Sequence, residues 1–192
     1  LDVRIHLRFG RALDPFGNDV DDDGRSLDPR GRTVEPARYL MHAGALVDDP
    51  ARDAEYTSML AERIVDRFRR ENVVHPTNVV AFVAFELLRR RSPHGDLYRF
   101  LRNLGPDSSV SQVELESELA TLLGTLRGMQ DAGGIRLSAD LASGDASSVL
   151  RAALRSFGTY HTVAALERRG VRIHANDAKL VFYYRNRLDA YG

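Results

Sequence analysis

Cysteine and tryptophan are absent, lysine occurs once, at Lys179, and no run of apolar residues approaches the length of a membrane span. Without cysteine the chain has no disulfide framework, no thiolate zinc site and no cysteine nucleophile. Without about eighteen consecutive apolar residues it has no helix that reads as crossing a bilayer. The first residues, LDVRIHLRFG, are neither a charged signal-peptide head nor a transit sequence. Charge of one sign is missing too, because 27 basic and 27 acidic residues cancel. That removes the basic footprint by which duplex DNA is usually held. The basic side is almost wholly arginine, whose planar fork grips anionic oxygens in pairs. Phosphate groups, lipid headgroups and carboxylates of a partner are conceivable contacts, and codon bias is the plain alternative.

What is present suffices for a folded body. With 192 residues, 43% apolar and 28% charged, the chain can bury one sizeable core or two small ones. Catalytic patterns are lacking. There is no Gly-x-Ser-x-Gly elbow to expose a serine nucleophile. The six histidines, at positions 6, 42, 75, 94, 161 and 174, form no His-Glu-x-x-His zinc pattern, and no phosphate-binding or dinucleotide glycine loop occurs. His161 lies on an amphipathic pattern and reads as a packed or surface residue. No catalytic, cofactor-binding or metal-binding residue is assigned. One local pattern has a mechanism: Asp19, Asp21 and Asp23 followed by Gly24 match the first half of a calcium loop. Arg30 stands where a closing Glu belongs, so a solvated acidic turn is the favoured reading.

Along the chain, Val3, Ile5, Leu7 and Phe9 alternate with Arg4, His6 and Arg8, the period of a half-buried strand. Residues 10 to 38 are rich in Gly, Pro and Asp and predict a long irregular connector, followed by a short hairpin turning at Ala43-Gly44. A helix is expected from Asp49-Pro50 to about Asn72, with Ala54, Thr57, Met59, Leu60, Ile64, Val65 and Phe68 on one face and Arg63, Arg67 and Arg70 on the other. Thr77 or Asn78 is the expected cap of NVVAFVAFELLRRR, whose centre from Val79 to Phe85 is apolar all round and therefore buried. Arg89, Arg90 and Arg91 suit the negative end of that helix. Further helices are predicted near 96 to 103, over 111 to 132, from Val149 past Leu166 to a stop at Gly170, and over 177 to 189. Ile135 to Leu137 and Val171 to His174 are short strand candidates expected to pair with each other. The fold class is mainly α with a few short β-strands, without internal repeats.

Three segments, VRIHLRFGRALDP, NVVHPTNVVAFVAFELLRRR and KLVFYYRNRL, in that order, resemble bacterial-type glycerol-3-phosphate acyltransferases. The first resembles a family strand ending in a Phe-Gly-Glu-Pro-like turn, with Arg11-Ala12 in place of Glu-Pro. The second resembles the helix after a Val-x-x-Pro-x-Asn-like start. Tyr183-Tyr184-Arg185-Asn186 is the most specific match. In that family a His-x-x-x-x-Asp pair removes the proton from the glycerol hydroxyl, and a Phe-Pro-Glu-Gly-like segment holds the acceptor phosphate. Neither motif occurs here; the nearest pair, His42 and Asp48, is one residue too long.

The resemblance implies a C-terminal, non-catalytic part of such an enzyme. Residues 1–13 would be the terminal strand of the acyltransferase domain, 14–48 an irregular connector and 49–192 a helical accessory region. The parent's reaction would join acyl-ACP or acyl-CoA to glycerol 3-phosphate, giving lysophosphatidate for phospholipid biosynthesis at the cytoplasmic face of the inner membrane, without a redox cofactor. A chain starting at Leu1 within an alternating run fits that expectation of a fragment. A membrane surface is an expected contact and nucleic acid is not. Tyr184 is expected to be buried, and Arg185 either to pair with Asp189 or to brace another segment, such as residues 8–13. The competing reading is a helical or winged-helix-like interaction or oligomerisation module, with 111 to 132 as recognition helix carrying only Arg127 as a cation.

Overall fold

The computed structural model describes residues 6–93, 95–105 and 108–191. Among these are seven α-helices and ten short strands, a mainly α architecture with small sheets, as the periodicities indicate. The chain divides between Glu71 and Asn72 into two compact units.

The expected first strand is described only from His6 on. Val3 and Ile5 lie outside the described residues. From His6 to Ala12 the chain forms no strand, and Leu13 makes a single antiparallel bridge with Asp19. The supposed irregular connector is instead an antiparallel meander of β1 (Asp19–Val20), β2 (Ser26–Leu27) and β3 (Thr33–Val34). Contrary to the expectation of no internal repeat, it is built on one: Asp14-Pro-Phe-Gly-Asn, Asp21-Asp-Asp-Gly-Arg and Asp28-Pro-Arg-Gly-Arg follow one another at seven-residue spacing. In each, the Asp Oδ1 accepts the N–H groups two and four residues on, at 2.8–3.0 Å. Gly17, Gly24 and Gly31 take φ of 81°, 81° and 76°, conformations that favour glycine. Each strand has only two residues, so no alternation betrays it, and the turns carry the order.

A 3-10 turn (Pro36–Leu40) leads to a hairpin of β4 (Met41–His42) and β5 (Ala45–Leu46), turning at Ala43-Gly44 as expected. Both turn residues have positive φ, the signature of a two-residue hairpin. Helix α1 (Pro50–Glu71) closes the unit. Phe16, Tyr39 and Tyr56 pack with ring centroids 4.7–5.6 Å apart, tying the first turn and the 3-10 turn to α1.

The second unit is organised around α2 (Pro76–Arg91), whose Val79, Val80, Ala81, Val83, Ala84, Phe85, Leu87 and Leu88 are all buried. Its neighbours are α4 (Gln112–Asp131), α6 (Ala146–Tyr160) and α7 (Ala178–Arg185), with α3 (Leu97–Asn103) and α5 (Ala139–Ser143) as short supports. His75 rather than Thr77 or Asn78 stands at the cap, so Pro76 opens α2 two to three residues earlier than expected, and Asn78 acts from the third helical position, its Oδ1 accepting the His75 N–H at 2.9 Å.

Strand pairing differs from expectation. β6 (Val73–Val74) pairs in parallel with β8 (Arg136–Leu137), while β10 (Arg172–Ala175) lies between β7 (Ser109–Ser111) and β9 (Leu166–Arg169), antiparallel to both. The helix that Val163 and Leu166 seemed to extend ends at Tyr160. Leu166, Ile173, Ala175 and Val110 instead form the buried face of the three-stranded sheet, and Gly170 (φ 60°) turns its hairpin rather than capping a helix.

The aspartate turns carry a pH signature. Burial pushes the Asp14 carboxyl up, but hydrogen bonds from the Asn18 side chain and backbone, Ser26 and Phe16 outweigh it and leave it below the usual 3.8. The Arg25 and Arg32 backbone N–H groups hold Asp21 and Asp28 low as well. A lowered carboxyl adds stability above its unfolded value that disappears as pH falls through the folded one. Amide exchange at Phe16 and Asn18 should therefore be unchanged from pH 7 to about 5 after correction for intrinsic rates and accelerate below about 4. Asp14→Ala should remove about 1.5–3 kcal/mol of local protection at pH 7, the range for hydrogen bonds to a charged group. Unchanged protection in Asp14→Ala would show that the turn does not need its carboxylate.

Candidate functional site

Helix α7 is short, yet it holds the most elaborate polar arrangement in the second unit. Asp177 caps it, its Oδ1 accepting the N–H groups of Lys179 and Leu180 at 2.9 and 3.0 Å. Val181 is buried, and Phe182, Tyr184 and Leu180 pack against the core. At its end, Arg185 points back across α2 with a side chain only 12% exposed. Its Nη2 donates to Glu86 Oε1 at 3.1 Å, and its Nη1 donates to Asp189. The guanidinium carbon stands 5.1 Å from the ring centre of Phe85, 5.4 Å from Phe82 and 5.9 Å from Phe182. This is a cation held by two carboxylates in an aromatic seat, where poor access to water strengthens the Glu86 pair and the ring contacts more than the Asp189 pair, whose carboxylate is 53% exposed. Arg185 Nε is buried without an acceptor.

One turn away, the Asn78 amide donates to the Tyr184 carbonyl at 3.2 Å while accepting from the His75 backbone. A single side chain thus fixes both the start of α2 and the end of α7. The Tyr184 hydroxyl meets His161 Nε2 at 2.8 Å, and its ring packs edge-on against Phe157 at 5.0 Å. Tyr184 is therefore half-buried rather than buried, because its hydroxyl needs a polar neighbour. Arg185 makes the expected pair with Asp189, and the other segment it braces is α2, through Glu86. Tyr183 stays 62% exposed.

Glu86 and Phe82 were not singled out in the sequence, although a signal existed. A carboxylate following an apolar helix core needs a cation when it folds inward, and Phe82 lies one turn before it.

The other sequence candidates are spread out. Asp19 holds Arg67 and, at 3.4 Å, Arg63; Asp21 and Asp23 both hold Arg25. These carboxylates close turns and ion pairs, and among the described residues no cluster of three or more His, Asp or Glu is placed to hold a metal. His42 and Asp48 are exposed in and after the β4–β5 hairpin. Arg90 and Arg91 reach Glu118 and Glu114 of α4, so they clamp two helices rather than only complement a helix end. Arg127 donates to the Leu141 carbonyl at 2.9–3.0 Å and to that of Gly144, which occupies the one cation expected of a recognition helix over 111 to 132. Among the described residues no helix is long and apolar enough to cross a membrane.

Comparison with family models, with curated proteins and with solved structures finds no match to this chain.

The Arg185 arrangement should be structural in effect. Arg185→Ala leaves Glu86 facing aromatic rings without its cation and should lower the unfolding free energy by about 2–4 kcal/mol, between the values for a charge-assisted hydrogen bond and a broken buried pair. Arg185→Lys keeps the charge but loses the fork and should recover only part of this. Urea unfolding followed by far-ultraviolet circular dichroism reads both, and an Arg185→Ala chain as stable as the parent would refute the bracing role.

Proposed function

We propose that this chain is the C-terminal, non-catalytic part of a glycerol-3-phosphate acyltransferase of the bacterial type. The observation that carries this reading is the convergence of its second and third matching segments. The Asn of the Val-x-x-Pro-x-Asn-like start, Asn78, and the Tyr-Arg of the terminal motif, Tyr184-Arg185, are separated by about a hundred residues, yet they bond to each other's helices. The residues on which the resemblance rests are thus the ones that hold α2 and α7 together, which supports reading them as one inherited device. The parent would transfer an acyl group from acyl-ACP or acyl-CoA to glycerol 3-phosphate, forming lysophosphatidate for phospholipid biosynthesis at the cytoplasmic face of the inner membrane. The catalytic His-x-x-x-x-Asp pair would lie upstream of residue 1. This part would take no cofactor and bind no nucleic acid. The anionic membrane contact would fall to Arg70 and Arg89, because Arg63, Arg67, Arg90 and Arg91 are engaged by carboxylates.

A second reading has its own observation. Helix α2, β7, α4, α6, β9 and β10 follow in the order of a winged helix, and the sheet order β7-β10-β9 is that of its wing. In this arrangement α6, not 111 to 132, takes the recognition position, with exposed Arg151 and Arg155 and a hairpin carrying Arg168, Arg169 and Arg172. The module reading would make this a protein-interaction or oligomerisation surface without catalysis.

The two are separated by assay. The longest polypeptide encoded by the reading frame should acylate glycerol 3-phosphate with acyl-CoA or acyl-ACP, and the 192-residue chain alone should give no turnover above background. Turnover by the chain alone contradicts its non-catalytic role, and the absence of a His-x-x-x-x-Asp motif in the few hundred residues upstream contradicts the acyltransferase.

A further inference from the structure

Helix α1 carries a second periodicity that its own unit does not use. Tyr56, Leu60 and Arg67 are half-buried and turn toward the unit, whereas Ala54, Thr57, Ala61, Ile64 and Phe68 are all exposed. The steps between these exposed positions are three, four, three and four, the heptad seam by which one helix receives another. The seam lies roughly 100° round the helix from the half-buried side. Ser58 and Val65 border it along one edge and are exposed too. It is graded in size. The first half is small, with Ala54, Thr57, Ser58 and Ala61, and the second half is large, with Ile64, Val65 and Phe68, which are 39%, 46% and 72% exposed. A stripe of uniform size would suit many helices, but a graded one is filled by a helix graded the opposite way.

We infer that α1 is the dimerisation helix of this chain and pairs antiparallel with α1 of a second copy, about a two-fold axis between Ala61 and Ile64. In an antiparallel coil the two classes of seam position face each other, so one register sets each large residue on a small one. Phe68 packs on the partner's Thr57, Ile64 on the partner's Ala61 and Val65 on the partner's Ser58, and the two-fold repeats each contact. Charge favours the same orientation. Glu55 and Glu62 have no cation partner among the described residues and flank the seam beyond Ser58 and Val65. The partner's Arg69 arrives beside Glu55, while Glu62 lies near the axis and meets its own copy, a like-charge approach that weakens the pair. A parallel pair would instead stack Phe68 on its copy, leave a gap at Ala54 and oppose Glu55 to its copy. An anionic lipid surface is disfavoured, because a helix lying on one has basic rather than acidic edges. The inference goes beyond both functional readings above, since neither uses this face.

Sedimentation equilibrium of the 192-residue chain should show a concentration-dependent dimer. Ile64→Asp and Phe68→Asp should each raise its dissociation constant at least about 100-fold, the effect of a charge placed in an apolar seam. Neither should change the circular dichroism of the monomer, because no residue of α1 is buried in its own unit. Glu62→Gln should tighten the dimer. The absence of cysteine allows the register to be read without background. Thr57→Cys and Phe68→Cys chains, mixed under mild oxidation, should crosslink to each other, and neither should crosslink alone, since like positions lie about 16 Å apart along the axis in this register. A chain that stays monomeric at about 100 μM overturns the inference, whether the seam is bare or covered by the second unit. So does a dimer undisturbed by both aspartate variants, or crosslinking of each cysteine variant with itself but not with the other.

Discussion

The second unit depends on one cation seated among phenylalanines. Arg185 is drawn inward by Glu86 and Asp189 and is covered by Phe82, Phe85 and Phe182. In water such pairs add little. Here the side chain is largely shielded, so losing either carboxylate would leave charge facing rings rather than solvent. The consequence reaches beyond α7. Helix α2 is apolar nearly all round and must be enclosed on every side, and α7 is the neighbour that covers its first turns and its Phe85. A helix of eight residues has little stability of its own. Its position is set by the Asp177 cap at one end and the Arg185 and Asn78 bonds at the other.

The first unit is stabilised by a different economy of interactions. Its strands are two residues long and its helix buries nothing completely, so the order comes from aspartate turns used three times and from the Phe16, Tyr39 and Tyr56 cluster. Such a body is firm at its turns, while Met59, Ile64, Val65 and Phe68 of its helix stay exposed.

Legibility in the sequence follows from this physics. The long helices were plain because their faces repeat over several turns; α1, α2 and α4 fall within about two residues of the expected limits, the uncertainty inherent in helix ends. The buried centre of α2 was legible because an all-apolar helix has nowhere else to go. The meander was not, because a period of two cannot appear in two-residue strands. Its signal was the Asp-x-x-Gly repeat at seven-residue spacing, visible only once the turn is taken as the repeating unit. The partners of short strands were also hidden: nothing local tells Ile135 to Leu137 that β6, sixty residues earlier, is its neighbour. At the α2–α7 junction the sequence marked Tyr184 and Arg185 but not Glu86, since the carboxylate gains its meaning only when two distant helices meet.

The most direct test of the account is a double-mutant cycle on Arg185 and Glu86, read by urea unfolding of the 192-residue chain with Arg185→Ala, Glu86→Ala and the pair. If the guanidinium locks α7 to α2 through that carboxylate, the two substitutions are far from additive, with a coupling of at least about 1.5 kcal/mol. A coupling below about 0.5 kcal/mol, the value of an ordinary surface pair, would contradict the claim that this contact holds the helical unit together.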